Sequence, residues 1–340
     1  MTPAKPREHL FDNLKALTLF CVAFGHILDV YIVKEHSLFQ IMMQYIYLFN
    51  MPLFSFVTGY FTKDENKARE TAVPKVLVPY LVLQILYITM GVAMIQLGLA
   101  SYNADVFQPS LLLPTSPLYY LLSVFFWKYF LKDIKKLRYP ILFSIVAGTL
   151  ISFTSNSQFH IGIGPTFTLW LFFLLGHFCT PEYIQKIRNL PKWIGWGILL
   201  LAILPASLLP YGFRNVHFNY EQAGMQPLEG GLYRILFYAI ACLIIIGLIN
   251  VMSGKKTFFS KIGVNSIIVY AASSFLAPHG YVLLAKIFPA LTQNSWINLA
   301  GMILFCAVLV LVASFDWIKK IYDTIIQWIC HLLFRPEAKN

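Results

Sequence analysis

Residues 12–26 read DNLKALTLFCVAFGH, from Asp12 to His26, and the reading of this stretch decides the fold. It opens polar, with Asp12, Asn13 and Lys15, turns apolar through Gly25, and then places a histidine inside the apolar run. The run continues to about Val33 without a small-residue cleavage site, so it reads as a retained membrane span and not a removable leader. The rest of the chain agrees. Of 340 residues, 58% are hydrophobic and 12% charged, with a mean hydropathy of +0.66. Soluble domains carry roughly 25% charged residues. The apolar runs cover all faces of their helices, which excludes an amphipathic soluble bundle.

Apolar windows between polar breaks predict ten spans, at about 14–33, 38–62, 76–99, 116–131, 139–153, 166–180, 193–210, 231–252, 264–288 and 296–318. The expected architecture is therefore all-α and polytopic, one transmembrane domain over 1–340 with no fixed-period repeat. Lys and Arg concentrate in the N-terminus (Lys5, Arg7, Lys15), loop 63–75, connection 128–138, segments 186–192 and 255–261, and the tail (Lys319, Lys320, Arg335, Lys339). These places hold 22 of the 26; the others are Lys34, Arg214, Arg234 and Lys286. Basic residues thus fall on every second connection, which predicts both termini in the cytoplasm. This distribution explains the net charge of +11 by contact with anionic lipid, without nucleic acid. The five cysteines lie in or beside apolar runs and form no CxxC pair, so neither a metal site nor a disulfide framework is expected. The outer loop near 211–230 is polar and is placed to cap a site. Trp127, Trp193, Trp196, Trp296 and Trp317 are expected in interface belts. Pro52 and Gly59 permit a bend and a close helix approach on the second span.

Within the opening stretch, Lys15 and His26 are eleven positions apart, which at 100° per residue leaves them about 20° apart around the helix and about 16.5 Å apart along it. Asp12 shares that face. Lys15 then lies at the cytoplasmic mouth and His26 near mid-bilayer, where ionisable groups usually face a polar cavity. An imidazole exchanges protons near neutral pH, making His26 a candidate acid–base group. Asp29, one turn on, is placed to orient it or to cap the helix. The residues alone leave open a second reading, in which Lys15 snorkels to headgroups and His26 makes an interhelical hydrogen bond.

A basic residue eleven positions before a histidine on the first of ten spans resembles the membrane acyltransferase-3 family. FNMPLFSFVTGYF, Phe49 to Phe61, is similar to F-H-M-P-L-F-x-x-x-S-G-Y of the fucose 4-O-acetylase-like branch. The basic loop ending in Lys75, Val78, Pro79 and Tyr80 looks like the family's basic residues before L-x-P-Y. IGVNSIIVY, Ile262 to Tyr270, looks like G-x-N-S-x-x-I-Y. The resemblance implies transfer of an acyl group, usually acetyl from acetyl-CoA, to a hydroxyl of a sugar, glycopolymer or other cell-envelope molecule in a bacterial cytoplasmic membrane. His26 matches the catalytic histidine, acting as base or carrying the acetyl, and Lys15 matches the basic residue near the donor, with Asp12 beside them. The resemblance further implies that Lys67, Arg69 and Lys75 form a docking surface for CoA phosphates, which suit Lys and Arg. Asn50, Thr58, Tyr60 and Asn265 are candidate substrate contacts on the matched motifs. Arg234 is a further candidate for a substrate anion, or a partner of Glu229. No metal is implied.

The chain departs from the branch in several places. Asn50 stands for the histidine before Met-Pro, Thr58 for serine, Tyr119 for a common Trp, and Pro165 or Thr166 for an Arg. Ala271, Ala272 and Ser273 replace L-L-H, and His279 lies six positions beyond. His177 is expected to pack or sit at the interface. The rival function is a transporter or binding protein for an envelope precursor on the same fold.

Overall fold

The computed structural model describes residues 9–31, 37–98, 109–115, 118–154, 160–208 and 219–334, and among these it contains helices and no strand. Lys5, Arg7, Lys34, Arg214, Arg335 and Lys339 lie outside the described residues.

Each expected span coincides with a helix: α1 His9–Tyr31, α2 Ser37–Phe61, α3 Glu65–Gln96, α4 Tyr119–Ile134, α5 Pro140–Phe153 and α6 Ile163–Phe178. After α6 come α7 Pro181–Asn189, α8 Lys192–Leu208, α9 Pro227–Val251, α10 Ser260–Val264, α11 Ser266–Ile287, α12 Ser295–Ala313 and α13 Asp316–Leu333. Six of the helices (α1, α2, α3, α9, α11 and α12) are long and apolar enough to cross a membrane. A seventh is added if α6 and α7, which meet at 93°, count as one broken span. Helices α5 and α8 are apolar but shorter.

Two boundaries differ from expectation. The basic stretch 63–75 is mostly helix, because Asp64 caps it by accepting the amides of Asn66 and Lys67 at 3.0 Å. Ala, Glu and Lys then favour the helix. A π-turn at Val73–Leu77 absorbs Pro74, which has no amide hydrogen to donate, and the helix continues through Pro79. The last span ends at Ala313, and the tail forms α13, an amphipathic helix with no buried residue.

Glycines set the tightest contacts. A Cβ on Gly59 of α2 would fall 1.9 Å from the Phe173 carbonyl oxygen, and one on Gly176 of α6 would fall 1.9 Å from that of Phe56. The two helices therefore cross backbone to backbone, as small residues allow in membranes. Beyond the crossing, Lys63 Nζ donates to the carbonyls of Gly176, His177 and Cys179 at 2.9, 2.6 and 2.8 Å. These acceptors are carbonyls at the C-terminal end of α6, where a cation is favoured. His177 is buried, as expected of a packing residue, with Nδ1 bonded to the Thr62 carbonyl. Trp127 corrects the belt expectation. It is buried between helices, donates Nε1 to the Thr166 carbonyl at 2.9 Å and stacks on Phe173, whereas Trp193, Trp196, Trp296 and Trp317 are exposed.

The basic connections meet at one end of the bundle. Asn13 bonds to Ser253 and Lys255, Lys135 to Glu65, Lys261 to Asp316, and the Cys330 thiol to the Pro74 carbonyl.

Candidate active site

Helix α1 is continuous from His9 to Tyr31, so the register that places Asp12, Lys15 and His26 on one face holds in the structure. At the basic end, the Lys15 ammonium lies 3.2 Å from Asp12 Oδ1, and His9 Nδ1 lies 3.8 Å from Oδ2. Asp12 is almost fully buried. A buried carboxylate needs such a partner, so Asp12 acts as the counter-ion that holds Lys15 in place. The ammonium also lies 5.9 Å from the centre of the Phe61 ring. Further along, His26 keeps accessible surface while Phe24, Ile27 and Leu28 around it are sealed. Asp29 lies within electrostatic reach of His26, and its Oδ2 accepts the Tyr47 hydroxyl at 3.0 Å. The arrangement thus places a largely buried proton-exchanging ring with a carboxylate close by.

The matched motifs explain how α1 is held. A Cβ on Gly263 would fall 1.9 Å from the Asp12 carbonyl oxygen, so the glycine of IGVNSIIVY brings α10 onto the backbone of the site. Asn265 then donates Nδ2 to the Ser314 carbonyl at 2.7 Å, fixing the α10–α11 junction to the end of α12. Tyr60 stacks on Phe11, with ring centres 4.3 Å apart.

The structure separates the expected substrate contacts. Asn50 is buried, and its Oδ1 accepts the neighbouring Met51 amide at 2.6 Å. Thr58 bonds to the Tyr120 hydroxyl at 2.8 Å, at the edge of an aromatic cluster of Phe54, Tyr120 and Tyr270. Tyr60 and Asn265 belong to the packing of the basic end. Arg234 does not pair with Glu229, which turns back to the Gln226 amide in a capping box. It donates instead to Ser152 Oγ at 3.2 Å.

The expected CoA-docking residues also differ from one another. Arg69 is tied to Asp133 and donates Nε to the Tyr129 carbonyl at 2.9 Å, which commits it to the α3–α4 contact. Lys67 and Lys75 are exposed on α3. Lys128, on α4, lies within electrostatic reach of Lys75, and two neighbouring ammonium groups favour a phosphate between them.

Sequence reasoning did not single out Asn13. Its Nδ2 donates to the carbonyls of Ser253 and Lys255 at 2.8 and 3.0 Å. Its Oδ1 accepts the hydroxyls of Thr257 and Ser260 at 2.8 and 2.7 Å. One buried amide therefore pins the turn between α9 and α10 onto the helix that carries the site. Tyr120 was likewise missed as the partner of Thr58; the signal was the doubled tyrosine of PLYYLL.

A family model described as an acyltransferase domain matches residues 8–315. Neither a curated protein nor a solved structure matches the chain.

Proposed function

The chain belongs to the acyltransferase 3 family and is a membrane acyltransferase; from that premise we propose that it moves an acetyl group from acetyl-CoA to a hydroxyl of a sugar, glycopolymer or other cell-envelope molecule. The observation that carries this reading is the single face of α1, with an ion-paired Lys15 at the basic end and a largely buried His26 about 16.5 Å along the axis. In this reading the basic end faces the cytoplasm, which the distribution of Lys and Arg supports. The donor then enters beside Lys15, with its phosphates toward Lys75 and Lys128. Its thioester reaches His26. A ring nitrogen of His26 takes the proton of the acceptor hydroxyl as that oxygen attacks the thioester carbonyl. The C–S bond breaks, the acetyl ester forms, and the departing CoA sulfur takes the proton. Asp29 stabilises the transient imidazolium.

One positioned proton-transfer group contributes roughly 10²–10⁴-fold, so His26→Ala is expected to slow acetyl transfer from radiolabelled acetyl-CoA by that factor. Its thermal unfolding is expected to match the parent's. Unchanged turnover in this variant would remove His26 from the chemistry. A transporter on the same fold would leave labelled acetyl-CoA unconsumed by either protein.

A further inference from the structure

Helix α1 presents a second organised face. His9, Leu10, Asn13, Ala16, Leu17 and Phe20 fall within about 120° of arc, its centre turned about 150° away from Lys15 and His26. Two cavities follow one another along it. At the basic end, a cavity of about 590 Å³ is lined by His9, Leu10, Ile184, Arg188, Lys192 and Lys255 among others, and among the described residues no Asp or Glu lines it. Deeper along α1 lies a groove of about 430 Å³, walled by Ala16, Leu17, Phe20, Ala307, Val310 and Leu311. The two meet at Met252 and Ser253, in the turn that Asn13 pins to α1. The far wall of the groove belongs to α12, a peripheral helix whose Leu304, Val308 and Val312 are exposed. The groove therefore lies beside the surface that meets the bilayer.

We propose that this composite site holds an anionic phospholipid, with its phosphate among Arg188, Lys192 and Lys255 and an acyl chain in the groove. The dimensions suit a lipid. His9 to Phe20 spans about 16.5 Å, and one hydrocarbon leaflet is about 15 Å thick. The charge suits it too, because Lys and Arg at the membrane edge recognise anionic headgroups. The basic cavity alone would also suit a soluble phosphate or the donor's nucleotide. Such a ligand has no use for the apolar groove, and on this face it would direct its thioester away from His26. The lipid clamps the turn between α9 and α10 against α1, so it supports the helix that carries the site without touching the reacting atoms. This inference does not depend on the identity of donor or acceptor.

The test is native mass spectrometry of the detergent-purified full chain, supplied in turn with dioleoyl-phosphatidylglycerol and dioleoyl-phosphatidylcholine. Phosphatidylglycerol is expected to remain bound, and phosphatidylcholine is not. Arg188→Gln/Lys255→Gln is expected to cut phosphatidylglycerol occupancy about tenfold or more, as loss of charged hydrogen bonds implies. Ala307→Phe fills the groove and is expected to cut it with the cations intact; should that variant not fold, the double variant decides alone. The matched control Lys136→Gln/Lys320→Gln is expected to bind as the parent does. Equal binding of the two lipids would overturn the site, as would equal loss in the control. Displacement of phosphatidylglycerol by inorganic phosphate or by CoA would reassign the cavity to a soluble phosphate. Each of these results is independent of whether His26→Ala impairs transfer.

Discussion

At the scale of single residues, the site depends on two small features of the α1–α10 contact. Gly263 has no space for a side chain, because a methyl group would sit 1.9 Å from the Asp12 carbonyl oxygen. Forcing one in separates the helices, and overpacking of this kind costs typically 1–3 kcal/mol. Gly263→Ala is therefore expected to lower the unfolding temperature and to weaken transfer together, since the displaced backbone carries Asp12 and hence Lys15. Asn13 acts through four hydrogen bonds. Asn13→Asp keeps both acceptor interactions but loses both donors to the 253–255 turn. Asn13→Ala loses all four, and an unsatisfied buried polar group costs about 1–3 kcal/mol. Both variants are expected to unfold at a lower temperature than the parent, the Asp variant also because it buries a carboxylate against two carbonyl oxygens; an Ala variant as stable as the parent would show that the turn is held by other contacts. These residues also show what the sequence made legible. The register of Lys15 and His26 follows from helical arithmetic within one segment. The partners of Asn13 lie 240 or more positions away, where no periodicity reaches. Trp127 misled for a related reason. Its residue type favours the interface, but Thr166 of another helix supplies a buried acceptor.

At the scale of elements, the contact between α3 and α4 is a charged clasp at the basic edge. Lys135 lies 2.9 Å from Glu65, Lys132 donates to Asn66 at 3.0 Å, and Asp133 receives both Lys136 and Arg69. Asp133 lies beyond the expected membrane segment, and the hydrogen bond from Lys136, followed by that from Arg69, holds its carboxyl below the ordinary aspartate value. A carboxyl depressed on folding stabilises the folded state above its unfolded pKa, and that support is lost as pH falls through the depressed folded value. The clasp is therefore at full strength at pH 7 and weakens from about pH 4 downward. Amide hydrogen exchange across 65–77, corrected for the intrinsic rate, is expected to show protection falling over that window in the parent. Asp133→Asn should be less protected at pH 7 and should lose less protection over the same window, where Glu65, held down by its hydrogen bond from Lys135, still titrates. A parallel fall in both proteins would assign the pH response elsewhere. The exposed pairs are also expected to weaken in high salt. Sequence reading treated this stretch as a loop because its charges break the apolar window. Charges do not break a helix, and the Asp64 cap was visible only as one acidic residue among several.

At the scale of the whole molecule, the ten apolar segments were legible because each is a continuous run, whereas their lengths in space were not. Helix α5 covers Pro140–Phe153, which at 1.5 Å per residue gives only about 21 Å against a hydrocarbon core of about 30 Å. The structure shows what fills the difference. Ser152, at its far end, receives Arg234, which lies seven residues and so about 10 Å into α9. Tyr220 comes down over that end, its amide bonding to the Ser152 carbonyl at 3.0 Å and its hydroxyl to the Thr149 carbonyl at 2.8 Å. Asn219, Tyr220 and Met225 are buried there. Irregular backbone at membrane depth is tolerated where protein surrounds it, so if α5 enters the membrane the 219–225 segment is placed to complete its span. This arrangement predicts that α5 still connects the two sides. In a variant lacking the native cysteines, Lys136→Cys is expected to react with a membrane-impermeant thiol reagent only from the cytoplasmic side. Thr154→Cys, exposed beside the Tyr220 segment, is expected to react only from the outer side. Labelling of both from one side would mean that α5 turns back within the bilayer. The basic connections on either side of it could then no longer all face the cytoplasm, and Lys15 would lose its assignment to the donor's side.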